Sequence, residues 1–375
     1  MHLGAARRRL RLLTRQMSSS STSSSTSSST PIIPTIAIIC SPNNNDILSA
    51  MPTRTDVNLI VGNDLNSFTS NPHFSSIQGL MYVAVGGDVT LLPSLYDACT
   101  HNKHNKHNIQ WVHSLFAGVD ALSSFTASHL SPNNVTLTNG RGAFSSSLAE
   151  YVMAAALHFN KSIPRLQSNQ KHKTWEKFVM PTLKGKTMGF VGYGHIGTTT
   201  ARLAKQFGMT VMALRRDPSK ESLYADVVLG NKDKLKLFQD SDFVVSVLPG
   251  TAETMDYCSQ PEFKAMKASG VFISVGRGVV VDEEALSNAL ANGEIAGAAL
   301  DVFKTEPLPP ESSLWDLGYD KILLSAHNAD YTTDYFDLGW NIFEQNLDSF
   351  MACKSCNGLV NDGNMVTPVD KENGY

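Results

Sequence analysis

Beyond residue 33 the chain alternates short apolar runs of strand length with longer stretches of mixed polarity. Runs at 35–40, 57–61, 80–85, 109–114 and 135–139 form a first series, separated by helical or turn-rich sequence. Residues 148–160 (LAEYVMAAALHFN) read as a buried helix, and Pro164 with the polar run after it leads into a second series. That series comprises 187–191, 210–214, 225–229, 243–247, 271–275, 295–301 and 321–325. Strands that alternate with helices imply parallel sheets covered on both faces. The pattern predicts an α/β chain of two doubly wound parallel-sheet domains, the second with six or seven strands over 146–326. Helical spacing at 336–350 predicts a last helix that returns to the first domain, which then comprises 33–145 plus 327–352. Residues 353–375 read as a polar tail and 1–32 as a segment outside the fold.

The second series opens on LKGKTMGFVGYGHIG, an apolar strand that runs into Gly192, Gly194 and Gly197. An Ala- and Leu-bearing helical stretch and a second apolar run follow. Strand, glycine turn, helix and strand together make a dinucleotide-binding βαβ unit. Gly192 lets the strand turn sharply, Gly194 lets backbone approach a pyrophosphate, and Gly197 lets the helix lie close to the sheet. The helix start at His195 and Ile196 then offers free N–H groups and the positive end of its dipole. An acid at the end of the second strand would hold the ribose hydroxyls of NAD. This sequence has Arg215 and Arg216 there, and two guanidiniums suit the 2′-phosphate of NADP. NADP is the favoured cofactor; NAD is the alternative, with Asp217 turned inward to serve it.

Three more strands end in polar residues. Arg277 stands between Gly276 and Gly278 after 271–275, where it can hold a carboxylate bidentately. Asp301 and Glu306 follow 295–300, and His327 follows 321–325. These stretches, LPGTAET, SVGRGVVVDEEAL, GAALDVFKTEPLP and SAHNAD, together with the glycine turn, resemble the D-2-hydroxyacid dehydrogenase family over nearly the whole chain after residue 33. The resemblance implies a flavodoxin-like substrate domain followed by a Rossmann cofactor domain. It also implies Arg277 as the substrate-carboxylate anchor, His327 as the acid/base, Glu306 as its partner, and Asp301 facing the nicotinamide carboxamide. Leu248, Pro249, Thr254, Val275, Gly276 and Ala329 fall on its cofactor-contacting positions, and the N–H groups of Ala117 and Gly118 on its carboxylate-binding loop. Phe116, Val85 and Trp340 are candidate pocket walls.

The chemistry agrees with those roles. Hydride arriving at C2 of a 2-oxo acid leaves negative charge on the carbonyl oxygen, which needs a proton and an electrostatic partner. A carboxylate beside an imidazole stabilises its charged, proton-bearing form. The expected activity is reduction of a small 2-oxo acid, glyoxylate or hydroxypyruvate first, by NAD(P)H to the D-2-hydroxy acid. Ser274, Gly276 and Ala326 depart from the family's usual Asn, Ala and Pro. Glutamate at 306 argues against formate dehydrogenase, which has glutamine there. A cofactor-sensing corepressor on the same scaffold is the alternative from another class. A different Rossmann enzyme, such as a methyltransferase, leaves Arg277, Glu306 and His327 unexplained.

Composition narrows the partners. The chain has 375 residues and a net charge of −3, enough length for two cores and no charge bias toward nucleic acid. No apolar run reaches bilayer-crossing length, so no membrane partner is expected. Five cysteines are sparse and irregular, as in a reducing compartment. Cys353-Lys-Ser-Cys356 lacks a second pair, and the His101/His104/His107 repeat lacks acidic neighbours, so no metal is expected. Residues 1–30 carry arginines and a Ser/Thr tract, with no acid before Asp46. That composition predicts a mitochondrial transit peptide; the alternative is a cytoplasmic protein starting at Met17. The family resemblance further implies a homodimer with paired cofactor domains.

Overall fold

The computed structural model describes residues 33–83, 87–100, 109–355 and 360–371, with the side chains of 354 and 355 left aside. Residues 1–32, for which a transit peptide is expected, lie outside the described residues, as do Val85, the histidine repeat and Cys356. From Pro34 onward the chain forms one compact unit. It holds two parallel sheets, five- and seven-stranded, each within an α/β arrangement.

The first sheet is built from β1 (Thr35–Ile39), β2 (Asn58–Gly62), β3 (Ile77–Tyr82), β4 (Trp111–Ser114) and β5 (Thr136–Asn139). Its spatial order is β2-β1-β3-β4-β5, the flavodoxin-like order. β1, β3, β4 and β5 are buried at every position, so β1 (TIAII) reads as a nearly continuous apolar run, while β5 (TLTN) buries polar residues. One face packs on Leu92, Leu95 and Phe125. The other packs on Trp340, Phe343, Leu347 and Phe350 of the helix Tyr335–Ser355. Phe343 and Phe350 stack on Trp111 with centroids 5.6 and 5.2 Å away. Trp340 is therefore a core residue, 2% exposed, with its indole N–H donated to Ile47 O at 2.8 Å. It is no pocket wall, and the candidate role read for it is corrected. Within 353–375, Val369 is buried and its N–H reaches Leu137 O, so part of the expected polar tail closes against β5.

The second sheet contains β6 (Thr187–Val191), β7 (Thr210–Leu214), β8 (Val227–Leu229), β9 (Phe243–Ser246), β10 (Val271–Ser274), β11 (Gly297–Leu300) and β12 (Ile322–Leu324). The order is β12-β11-β10-β9-β6-β7-β8, a Rossmann arrangement that reverses between β9 and β6. Ligands of such sheets bind at the strand C-termini beside that reversal. The helix Ser145–Asn160 buries Leu148, Ala149, Val152, Met153, Ala155 and Ala156 at helical spacing against β6, β9 and β10.

Buried in β4, His113 is 0% exposed, holds Thr138 Oγ1 at 2.7 Å through Nδ1, and leaves Nε2 unpaired. Burial pushes its pKa down to about 3. The folded ring stays neutral while the unfolded one takes a proton near pH 6.5. Its contribution to stability is complete above that pH and is lost as pH falls toward 3, at up to about 1.4 kcal/mol per pH unit. Thermal melts from pH 7 to pH 4 are expected to show this slope, and His113→Gln should flatten it; an unchanged slope in the variant would refute the assignment.

Candidate active site

In the spatial order of the second sheet, His327 leaves β12, Asp301 leaves β11, Arg277 leaves β10, Leu248 follows β9, Gly192 ends β6 and Arg215 ends β7. Neighbouring strands sit about 4.8 Å apart, so these exits form one row about 24 Å long. Acid/base chemistry lies at one end and the two arginines at the other.

Next to the arginine end of the row Gly192 takes φ +90°, a left-handed conformation that L side chains rarely adopt. A Cβ there would also press on Leu248 Cδ2 at 2.9 Å. The helix His195–Gln206 starts after Gly194 with no side chain capping it, and a Cβ at Gly194 would point into open space. Uncapped N–H groups above an open space fit a dinucleotide pyrophosphate. Gly197 is buried, with a Cβ there meeting the Tyr193 ring at 3.2 Å, which keeps helix and turn close. His195 occupies the first helical position with its ring against Gly142, and burial and the nearby Arg141 charge lower its pKa. Ile196 packs into the sheet core.

Beside this turn, Thr254 Oγ1 donates to Pro249 O at 2.6 Å and fixes the loop after Leu248. Gly276 leaves room for that loop, because a Cβ would stand 2.5 Å from Leu248 O. Val275 is buried and bonded to Ser246 O. Ser274 is buried with an unpaired hydroxyl, and Ala326 is exposed. At β7, Arg215 Nη1 donates to Glu221 O and Ser222 Oγ, and Arg216 Nη2 pairs with Glu253 at 2.9 Å. Asp217 Oδ1 accepts from Ser219 N and Oγ, which holds its carboxyl below the usual range.

Arg277 crosses from the second sheet to the first. Nε donates to Asp120 Oδ2 at 3.1 Å, Nη1 donates to Gly276 O at 3.0 Å, and Nη2 lies where a Gly118 Cβ would be. Ala117 is held through its carbonyl by Asn139 Nδ2 at 2.6 Å. The N–H groups of Ala117 and Gly118 have no partner among the described residues. A guanidinium therefore approaches a loop with two N–H groups unbonded among the described residues, a combination that fits a carboxylate. Asp120, the fixed partner of Arg277, had no role assigned from sequence because 157 positions separate the pair.

His327 sits at φ +50° and donates its backbone N–H to Asp301 O at 2.8 Å. Its Nδ1 meets Glu306 Oε2 at 2.8 Å, and Glu306 Oε1 accepts from Phe303 N at 2.9 Å. Asp301 is 1% exposed, and Oδ1 accepts from Ser325 Oγ and Asn328 N. Ala329 N donates to both of its oxygens. The buried Asp301 carboxylate thus ties down the histidine loop, while Oδ2 accepts only from Ala329 N among the described residues.

Residues 153–329 match the model of the D-isomer specific 2-hydroxyacid dehydrogenase NAD binding domain. The chain is 31% identical over 236 residues to glyoxylate reductase of Korarchaeum cryptofilum, covering 60% of this chain and 69% of that one. It is 36% identical over 220 residues to glyoxylate/hydroxypyruvate reductase B of Klebsiella pneumoniae, covering 56% and 67%. A solved D-isomer specific 2-hydroxyacid dehydrogenase family protein of Aeromonas salmonicida superposes with a TM-score of 0.70 at 27% identity, over 90% of this chain and 99% of that one. Fold, glycine turn and strand-exit residues define an NAD(P)-dependent oxidoreductase. The chain belongs to the D-isomer specific 2-hydroxyacid dehydrogenase family.

The bound nicotinamide supplies or accepts the hydride. Arg277 with the 117–118 amides can hold a carboxylate, and His327 can deliver a proton to the carbonyl oxygen beside it.

Proposed function

We propose that the enzyme reduces glyoxylate to glycolate or hydroxypyruvate to D-glycerate, with NADPH preferred over NADH. The observation that carries this reading is the approach of Arg277 to Gly118 on the same sheet edge as the His327–Glu306 pair. The names of the relatives point to the same small 2-oxo acids. NADPH is favoured because Arg215 and Arg216 follow β7 at the position where an acid would hold the ribose hydroxyls of NAD. NADPH pools drive reduction, which motivates the direction.

The test is a panel of 2-oxo acids with each cofactor, alongside fluorescence titration of cofactor binding. Wild type is expected to bind NADPH at least tenfold more tightly than NADH. The Arg215→Ala/Arg216→Ala double variant should lose most of that ratio, since a charge-assisted hydrogen bond contributes about 1.5–3 kcal/mol. Equal binding of the two cofactors by wild type removes the NADPH preference. Cofactor oxidation independent of any 2-oxo acid removes the reductase.

Two further proposals accompany this one. The Arg- and Ser-rich residues 1–30 direct the chain to the mitochondrion, with the cytoplasm as alternative. The enzyme is a homodimer, supported by the exposed apolar Trp175 and Val179, 96% and 89% accessible, in the segment leading to β6. Among the described residues no helix is long and apolar enough to cross a membrane.

A further inference from the structure

Beside the Gly118 loop an aromatic stack joins the two loops that carry the site. The Tyr335 ring lies 4.5 Å from that of Phe144 and 5.4 Å from that of Phe116, stacked on both. Tyr331 meets its edge at 5.2 Å. Phe116 immediately precedes Ala117–Gly118, and Tyr331 closes the turn after His327 by donating its N–H to Asn328 O. Tyr335 is therefore clamped between the carboxylate-binding loop and the histidine loop. Among the described residues its hydroxyl has no hydrogen-bond partner. The carboxyl of Asp330, between Ala329 and Tyr331, is partly buried and meets no other side chain in a hydrogen bond.

The surroundings of the two groups overlap. Burial raises the Asp330 pKa while the charges of His327 and Arg277 oppose it. Burial also raises the Tyr335 phenol, with Asp330 adding to the shift and Arg277 opposing it. Tyr335 thus stacks on the ring that precedes Gly118, and Asp330 lies on the loop that begins at His327. Both side chains are half-buried and hydrogen-bond to no other residue among the described residues, so each can exchange a water partner for a polar group of the substrate.

We propose that Tyr335 and Asp330 line the subsite for the substrate's C3 substituent and select a hydroxyl there. The inference rests on the 2-oxo acid reductase reading above. A C3 hydroxyl donates to Asp330 and accepts from Tyr335. A methyl group in its place leaves both polar groups unpaired, and a second carboxylate meets the Asp330 charge. The substrate class is accordingly a 3-hydroxy-2-oxo acid, and dicarboxylic 2-oxo acids are rejected.

The experiment compares kcat/KM for hydroxypyruvate, pyruvate and oxaloacetate in wild type, Tyr335→Phe and Asp330→Ala. Binding of D-glycerate and D-lactate to the enzyme with oxidised cofactor gives the same comparison without turnover. Wild type should favour hydroxypyruvate over pyruvate about 100-fold. Tyr335→Phe keeps the stacked ring and should cut that ratio about tenfold, as should the glycerate-to-lactate binding ratio. Asp330→Ala should abolish most of the ratio and raise oxaloacetate relative to hydroxypyruvate. Ratios that stay fixed while all substrates weaken together overturn the proposal, because the two residues then act only through His327 or Arg277. Wild-type inactivity on every 2-oxo acid with either cofactor instead overturns the reductase reading.

Discussion

Replacing His327 by alanine is expected to lower kcat about 1,000-fold and leave the NADPH dissociation constant within about threefold of wild type, the scale of a lost general acid. The argument begins with the backbone. Histidine is among the residues that tolerate the left-handed region, and here φ is +50°. That conformation persists because His327 N is bound to Asp301 O while the Asp301 carboxylate holds the N–H groups of the next two residues. With Nδ1 committed to Glu306 at 2.8 Å, Nε2 is the atom left to exchange the substrate's proton. Glu306 is itself fixed by Phe303 N, so tautomer and ring direction are both set before substrate arrives. None of these contacts involves the glycine turn, which is why cofactor affinity should survive. Glu306→Gln should fall between wild type and His327→Ala, because an amide can orient the ring but cannot stabilise its charge. Steady-state rates with parallel fluorescence titration decide the matter; wild-type turnover in His327→Ala would sink the assignment.

Much of this machinery is legible along the chain because parallel strands buried on both faces leave continuous apolar runs, and the residue after each run must lie at one sheet edge. That logic located Gly192, Arg277, Asp301 and His327 together. It overran the strand ends by a residue or two, as at 271–275 against Val271–Ser274, since the last residues already turn outward to build the site. Periodicity carries no record of contacts between separate loops. The Asp120–Arg277 and Glu253–Arg216 pairs and the Tyr335 stack are of that kind. The same limit misplaced Trp340, whose helical position is equally compatible with a pocket wall and with the core beneath β4. Asp301 shows the same limit: its type and position pointed to a ligand contact, but its bonds to Ser325, Asn328 and Ala329 carry no signal in the periodicity.

Arg277→Ala should lower kcat/KM for a 2-oxo acid by about 100- to 1,000-fold, chiefly through KM, as removal of one or two charge-assisted hydrogen bonds of about 1.5–3 kcal/mol each implies. The guanidinium spends Nε on Asp120 and Nη1 on Gly276 O, and these two bonds aim Nη2 at the Gly118 loop. Without it, the free amides of Ala117 and Gly118 remain but lack a countercharge. Arg277→Lys separates charge from geometry. A single ammonium cannot bond Asp120 and the substrate through a rigid fork, so lysine should recover no more than about a tenth of the lost kcat/KM. Asp120→Asn tests the aiming from the other side: it keeps the arginine's charge and weakens its hold, so KM should rise about tenfold with kcat falling less. Steady-state kinetics on all three variants, with melting temperatures to confirm folding, distinguish these outcomes. If Arg277→Ala kept the wild-type KM, the carboxylate would be anchored elsewhere, and the convergence of Arg277 with the first sheet's loop would be structural only.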